Sequence, residues 1–420
     1  MNQQLVNKIL ITIGFLFIFR LLAYVPVPGV DTAVIASFFD EHQADALGLF
    51  NMFSGNAVER LSIISLGIMP YITASIIMEL LAATFPNLAQ MKKERDGMVK
   101  YMQIIRYATI AITIVQAIGV SIGLQSMTGK DGSSAILVDH TTFMILATVS
   151  MLAGTMLLMW IGEQITQNGI GNGVSLIIFA GIVSAIPSGI GQAVTMVNTG
   201  AMSFLTLLLI IALIFATVLV IIYVELGERR IPVTYAKKTR LAHQNKRVMN
   251  YIPVKVNLSG VIPVIFASAS LMFPMTVLSS STNPTVQGIA DLLNPNHYFF
   301  NFLQFLFVVF FAFFYASIVF NAKDISENLK RQGGFIPGVR PGESTKEFLN
   351  ETASRLTFTG AIYLGLVATL PWVILKGAGV PFFFGGTAVL IVVQVALDTM
   401  RRIEAQIYMS RYQTLSAVGL

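Results

Sequence analysis

Four carboxylates lie in or beside long apolar runs of this chain: Glu79, Glu163, Glu225 and Asp398. An acid near the middle of a membrane span is costly, and such acids serve as proton relays or ion ligands. All four instead fall within about two turns of the same end of their runs, so the expected reading is acids at a wet rim. Arg20 is different, some twelve residues into the first run, where it either snorkels outward or bonds a neighbouring helix. The chain has no cysteine. It also lacks a central carboxylate, a metal-ligand cluster, a nucleophile beside a base and a phosphate loop. Neither catalysis nor a bound metal or cofactor is therefore expected. The stretch "GIGNG", residues 169–173, imitates a nucleotide loop, but it follows an apolar run rather than a strand.

The elements that must position these groups are membrane helices. Hydrophobic residues make up 55% of the 420 and charged residues 11%, with a mean hydropathy of +0.73. Soluble domains carry roughly 25% charged residues. Many apolar runs reach the ~20 residues that a helix needs to cross ~30 Å of hydrocarbon, whereas a transmembrane β-barrel would show short strands of alternating polarity. Ten spans are expected, near residues 9–25, 63–85, 104–124, 141–163, 173–189, 203–225, 258–279, 300–321, 355–375 and 382–400. No cleavable leader is expected, because the first run ends in "VPVPG" without a small-residue cleavage site. One set of alternate loops and termini holds all but four of the 27 lysines and arginines; the exceptions are Arg20, Arg60, Lys130 and Lys376. Basic loops stay cytoplasmic, so both termini are expected there.

Ten spans divide into halves of five, about 1–200 and 201–420, and an odd number per half inverts the second against the first. Interrupted spans at matching positions of such halves point to the working site. The second span contains Gly67, Pro70, Thr73 and Ser75; the seventh contains Gly260, Pro263, Ser268, Ser270 and Pro274. Just before the second span comes "FNMFSGNAVERLSI", residues 50–63, half polar and on the outer side. It is either a plain exposed loop or a small folded segment. On the other side, two large loops near 226–257 and 322–354 carry much of the basic charge, and "GGFIPGVRPGE" has the glycines and prolines of a fixed tip. Such loops suit docking of a large anionic partner, such as ribosomal RNA or an acidic protein surface.

The chain resembles the SecY family of bacterial protein-conducting channels. The resemblance runs over residues 5–412 through "FNMFSG", "LGIMPYITASII", "LMWIGEQIT", "GIGNGVSLIIFAGI", "PVKVNLSGVIPVIFASA", "VFNAKDISENLK", "GGFIPGVRPGE" and "PFFFGGTAVLIVV". It implies an all-α polytopic membrane protein with ten transmembrane helices in two inverted five-helix halves. It also implies a short plug helix at about 51–62, including Asn51, Phe53, Ser54, Gly55, Asn56, Glu59 and Arg60, with the last two facing water. A pore ring of branched aliphatics would fall on Ile68, Ile72, Ile178, Ile265, Val277 and Ile391, a dewetting gasket that offers a passing peptide no hydrogen bonds. Ile68 and Ile72, four apart, share a helix face.

A lateral gate between the second, third, seventh and eighth spans would use Thr73, Gln116 and Asn257 as an interhelical hydrogen-bond group. Partner docking would use Arg229, Arg230, Lys237, Lys238, Arg240 and Arg340. The implied function is passage of unfolded polypeptide across, or sideways into, the cytoplasmic membrane, without enzymatic activity. The implied partners are the small subunits SecE and SecG, the SecA motor ATPase or a translating ribosome with its RNA, signal peptides, nascent chains and membrane lipid. The other reading of the residues is a secondary transporter built from inverted repeats, which would need a central acidic or coordinating cluster.

Overall fold

A computed structural model describes residues 3–41, 51, 54–125, 135–235, 250–279, 288, 292–294, 297–377 and 386–417. The chain enters through α1 (Gln3–Leu22) and the short α2 (Thr32–Glu41). α3 (Met69–Thr84) begins with Pro70 in its first turn, where a missing N–H costs nothing. It stops before Pro86, which holds Phe85 in extended geometry (φ −104°, ψ 113°). The chain then bends by 115° into α4 (Pro86–Lys93).

Next come α5 (Arg95–Gln125) and α6 (His140–Asn168), whose N-terminus is capped by Asp139 accepting from Thr141 N at 3.3 Å. α7 (Gly173–Asn198) is capped by Asn172, whose Oδ1 accepts from Val174 N and Ser175 N at 3.1 and 3.3 Å. The "GIGNG" stretch is thus a helix start. α8 (Phe204–Leu226) has the most apolar window of the spans, with a mean hydropathy of 3.3, yet only 6% of that window is buried. Its exposed Leu208, Ile211, Phe215 and Leu219 suit a hydrocarbon surrounding.

The second half continues with strands β1 (Glu228–Tyr235) and β2 (Asn250–Lys255), then α9 (Ile262–Ser279), α10 (Tyr298–Val319) and α11 (Ala322–Arg331). The two-residue β3 (Gly334–Phe335) precedes the long α12 (Glu343–Gly377) and α13 (Gly386–Ala417). Each of the ten expected spans falls on a helix. Seven described helices are long and apolar enough to cross a membrane, or eight if α3 and α4 count as one bent span. Among the others, α9 has only a short apolar stretch, Ile262–Leu271. α13 carries Asp398, Arg401 and Arg402 midway along its length.

Among the described residues there are four buried apolar clusters, one of them between α3 and α5 around Ala74, Met78 and Tyr101; the other three position the site. Val27, Ile35, Val58, Leu61, Leu66 and Phe143 form one at the end away from the basic loops. The largest lies between the helices and contains Ile72, Ile178, Ile265 and Ile391. The third seats the basic loops: β1 pairs antiparallel with β2, Ile231 opposite Ile252, and β3 joins the far end of β1, Thr234 opposite Phe335. The two large loops therefore form one unit, held by Ile231, Val233 and Val254 against Leu329, Ile336 and Leu349.

Two span limits differ from expectation. α1 ends at Leu22, so Arg20 stands in its last turn, where a cation complements the helix dipole. The second span begins as helix only at Met69, because residues 58–68 run as turns with φ of +40° at Leu61 and +59° at Gly67.

Candidate pore, plug segment and gate

The segment 54–68 fills the end of the helix bundle away from the basic loops; Asn51 and Ser54 are helical, and the helix ends at Gly55. Gly55 and Asn56 take left-handed φ values of +74° and +64°, which no α-helix accommodates. Asn51 ties the loop together: its carbonyl accepts from Asn56 N at 2.8 Å and from Ser54 Oγ at 2.9 Å, and its Oδ1 accepts from Glu59 N at 3.1 Å. Phe53 lies outside the described residues. The base of the segment pairs with the chain after α1, Val27 N donating to Leu61 O at 2.8 Å and Ile63 N to Val25 O at 3.0 Å. Ser62 adds a bond from Oγ to Leu22 O at 2.7 Å. α6 passes so close that a Cβ at Gly154 would lie 2.0 Å from Ile63 O. Glycine alone permits that approach.

Glu59 and Arg60 are half-buried rather than simply facing water. Asn51 Nδ2 donates to Glu59 Oε2 at 3.4 Å, and the Arg60 guanidinium stacks 4.1 Å from the centroid of Tyr24. Arg20 reaches the same place. It donates to Gly55 O at 2.6 Å, to Ser184 Oγ at 3.1 Å and to Tyr24 Oη at 3.3 Å. Of the two readings open for Arg20, bonding to neighbouring elements is the observed one. Sequence reasoning gave no role to Tyr24, Gly181 or Ser184.

Ile68, Ile72, Ile178, Ile265 and Ile391 come from four helices and one helix cap, and all five join one buried apolar cluster. The side chain of Val277 lies outside the described residues, though its backbone belongs to α9. Ile72, Ile178 and Ile265 also line a cavity of about 780 Å³ that opens toward the basic loops and carries Glu79, Lys92, Glu94, Arg106 and Glu163 higher up its walls. On the opposite side of these isoleucines sits the segment 54–68. One turn along α7 from Ile178 is Gly181, whose Cα would lie 3.1 Å from a Cβ at Gly55.

The rim acids have basic partners with one exception. Glu163 holds Arg106 by two bonds of 3.2 and 2.6 Å, Glu79 faces Lys92 at 3.6 Å, and Asp398 meets Arg402 at 2.8 Å. Glu225 is buried instead of lying at a wet rim. Its Oε1 accepts from Asn257 Nδ2 at 2.6 Å and from Gln394 Nε2, and its carbonyl accepts from Arg401 at 2.9 Å. A buried carboxylate requires such donors.

This network overturns the expected gate group. α9 packs against α3, α5 and α10, yet no hydrogen bond joins Thr73, Gln116 and Asn257 among the described residues. Asn257 is taken by Glu225. Thr73 donates to Met69 O at 3.1 Å, one turn back in its own helix, as Thr109, Thr113 and Ser121 do in α5. Gln116 is buried, and its Oε1 lacks a partner among the described residues. The polar side chains of these helices mostly close on their own backbone.

Of the docking residues, Arg229 and Arg340 are exposed. Arg230 pairs with Glu228 at 2.7 Å and stacks 4.9 Å from the Tyr251 ring. The Glu228 bond, then the Tyr251 phenol, raises the Arg230 guanidinium above its ordinary value. Lys237, Lys238 and Arg240 lie outside the described residues. The tip holding Arg340 turns at Gly338 (φ +85°) and Gly342 (φ +107°). It is pinned through the backbone, Thr345 Oγ1 donating to Arg340 O at 2.8 Å. No described residue pairs with the Arg340 guanidinium.

A bundle of apolar helices around an isoleucine-lined cavity, with a folded segment across its far end, is the architecture of a polytopic membrane channel. The SecY family model matches residues 62–400. The protein translocase subunit SecY of Helicobacter pylori is 65% identical over 420 residues, covering 100% of both chains. That of Escherichia coli K12 is 41% identical over 416 residues, covering 98% of this chain and 94% of the relative. Among solved structures, one of a protein-conducting channel aligns with a TM-score of 0.66 at 17% identity, covering 96% of this chain and 93% of the other. A second concerns a plug domain of SecY that stabilises the closed translocation channel; it aligns with a TM-score of 0.70 at 18% identity, with the same coverage. The chain belongs to the SecY family.

Proposed function

We propose that this chain, a subunit of a protein-conducting channel, passes unfolded polypeptide between its two halves, about 1–200 and 201–420. Substrate enters from the cytoplasm through the 780 Å³ cavity, crosses the ring of Ile68, Ile72, Ile178, Ile265, Val277 and Ile391, and displaces the segment at 51–62. The observation that carries this reading is the sequence of spaces: an open cavity, a waist of branched aliphatics, then a folded segment seated against α3 and α7. Apolar segments leave sideways between α3 and α5 on one side and α9 and α10 on the other. Because the buried hydroxyls Thr73, Thr109, Thr113 and Ser121 bond within their own helices, parting that seam costs apolar packing, which a hydrophobic segment replaces.

The site is the cytoplasmic membrane with both termini in the cytoplasm, a placement supported by the concentration of lysine and arginine in one set of loops. Small membrane subunits of the SecE and SecG kind complete the channel, and force comes from a SecA motor ATPase or a translating ribosome. A solved structure of Sec61 in a ribosome–channel complex from canine endoplasmic reticulum shares this fold, at a TM-score of 0.64 and 17% identity. Docking falls to Arg229, Arg230, Lys237, Lys238, Arg240 and above all Arg340. A guanidinium on a pinned tip loses little entropy on binding and offers a bidentate contact that lysine does not reproduce.

The test is translocation of a signal-bearing unfolded substrate into proteoliposomes, read by protection from protease. The intact channel with its motor protects the substrate. Arg340→Glu abolishes protection while assembly and resting conductance persist, and Arg340→Lys restores it only in part. Normal translocation by the Glu variant removes Arg340 from docking. Failure of the intact channel to protect any substrate removes the function proposed.

A further inference from the structure

We infer that Arg20 is the latch of the resting plug, an assignment that rests on the plug reading of residues 51–62. Its guanidinium joins three elements at one point: the last turn of α1, the apex of the plug segment through Gly55 O at 2.6 Å, and α7 through Ser184 Oγ at 3.1 Å. Ser184 is itself oriented by donating to Gly181 O at 2.7 Å. Those two residues form the notch in which Gly55 sits, with Gly181 Cα 3.1 Å and Ser184 Oγ 3.3 Å from where a Cβ would be. A further bond to Tyr24 Oη, with the Tyr24 ring 5.2 Å away, aims the fork.

The apex needs such a donor. Left-handed φ at Gly55 and Asn56 ends the helical run, and among the described residues the buried Gly55 carbonyl has its bond from a side chain. The base of the segment is different, since Leu61 and Ile63 pair with Val27 and Val25 through backbone whatever the side chains are. Removing the latch therefore frees the apex and leaves the base attached. Nη1 makes the bonds to Gly55 O and Ser184 Oγ while Nη2 reaches Tyr24 Oη; lysine, with one nitrogen, lacks the second arm that aims the first.

The test is resting conductance in planar bilayers of the full chain with the membrane subunits that copurify, in two backgrounds: intact, and lacking Gly55–Ser62. In the intact background Arg20→Gln raises the open fraction about tenfold or more, the scale of a lost charge-assisted bond. Arg20→Lys gives an intermediate rise, and in the deletion background neither change adds to the leak. A Gln variant as tight as the parent, beside a leaking deletion, overturns the latch and leaves the plug reading standing. A deletion that does not leak overturns both. Leak from Arg20→Gln that adds to that of the deletion assigns Arg20 to the joint between α1 and α7 and overturns the latch. Should the Gln variant fail to assemble, Ser184→Ala removes only one contact. A leak of a few-fold that vanishes in the deletion background supports the latch, and a seal equal to the parent's overturns it.

Discussion

In the function proposed here, the isoleucine waist and the plug segment block the same path by opposite physics. Ile72, Ile178, Ile265 and Ile391 stand on regular helices within an apolar cluster, and their contacts have no preferred direction. The plug segment departs from regular backbone at Gly55, Asn56 and Leu61 and is held by directional bonds that Asn51 accepts and that Arg20 and Ser62 donate. An apolar waist has no single release point, so it yields to a passing chain and closes around it. A hydrogen-bonded segment has a few defined bonds, so it holds or lets go. The waist suits contact with any sequence; the plug suits a resting state with a threshold.

The hardest test of this contrast removes the directional half. A chain lacking Gly55–Ser62 is expected to assemble and to leak at rest, with an open fraction raised roughly a hundredfold or more, since several bonds of about 1 kcal/mol each are lost. Planar-bilayer conductance equal to that of the parent would mean that the waist alone seals.

A smaller effect is expected in the other half. Ile391→Asn buries an amide without a partner in the apolar cluster, at a cost to the closed state of about 1–3 kcal/mol. It is expected to relax the waist and admit substrates with defective signal sequences. Export of such substrates at background level would place Ile391 outside the waist.

The mildest change sharpens the boundary between the two. Gly55→Ala keeps every bonding group but adds a methyl at φ +74°, 3.1 Å from Gly181 Cα. About 1–2 kcal/mol of backbone strain predicts a leak of roughly five- to thirtyfold. A silent substitution would mean that the apex is not seated at rest.

What the sequence made legible follows the range of the interactions. Helical spans rest on local composition, and the sharing of a face by Ile68 and Ile72 rests on a spacing of four. The turn at Gly55 and Asn56 was also readable, since Ser, Gly and Asn in succession signal a break. Thr73 was likewise legible, because a threonine within a helix bonds readily to the carbonyl four residues back. By contrast, Arg20 meets Ser184 across 164 residues, and Glu225 meets Gln394 across 169. No local pattern announces such pairs. The sheet joining the two basic loops was hidden for another reason: β3 is only two residues long, too short for alternation to register.

In the proposed channel, the backbone pairing of Leu61 and Ile63 with Val27 and Val25 also sets the kinetics of closure. If the apex swings out while this pairing stays intact, Gly55 remains on a tether of seven residues, no longer than about 25 Å when fully extended. Return is then an intramolecular event at an effective concentration of order millimolar. Resealing is first order, with a rate independent of how many channels the membrane holds, and each pore recloses with its own stopper as soon as the path is clear.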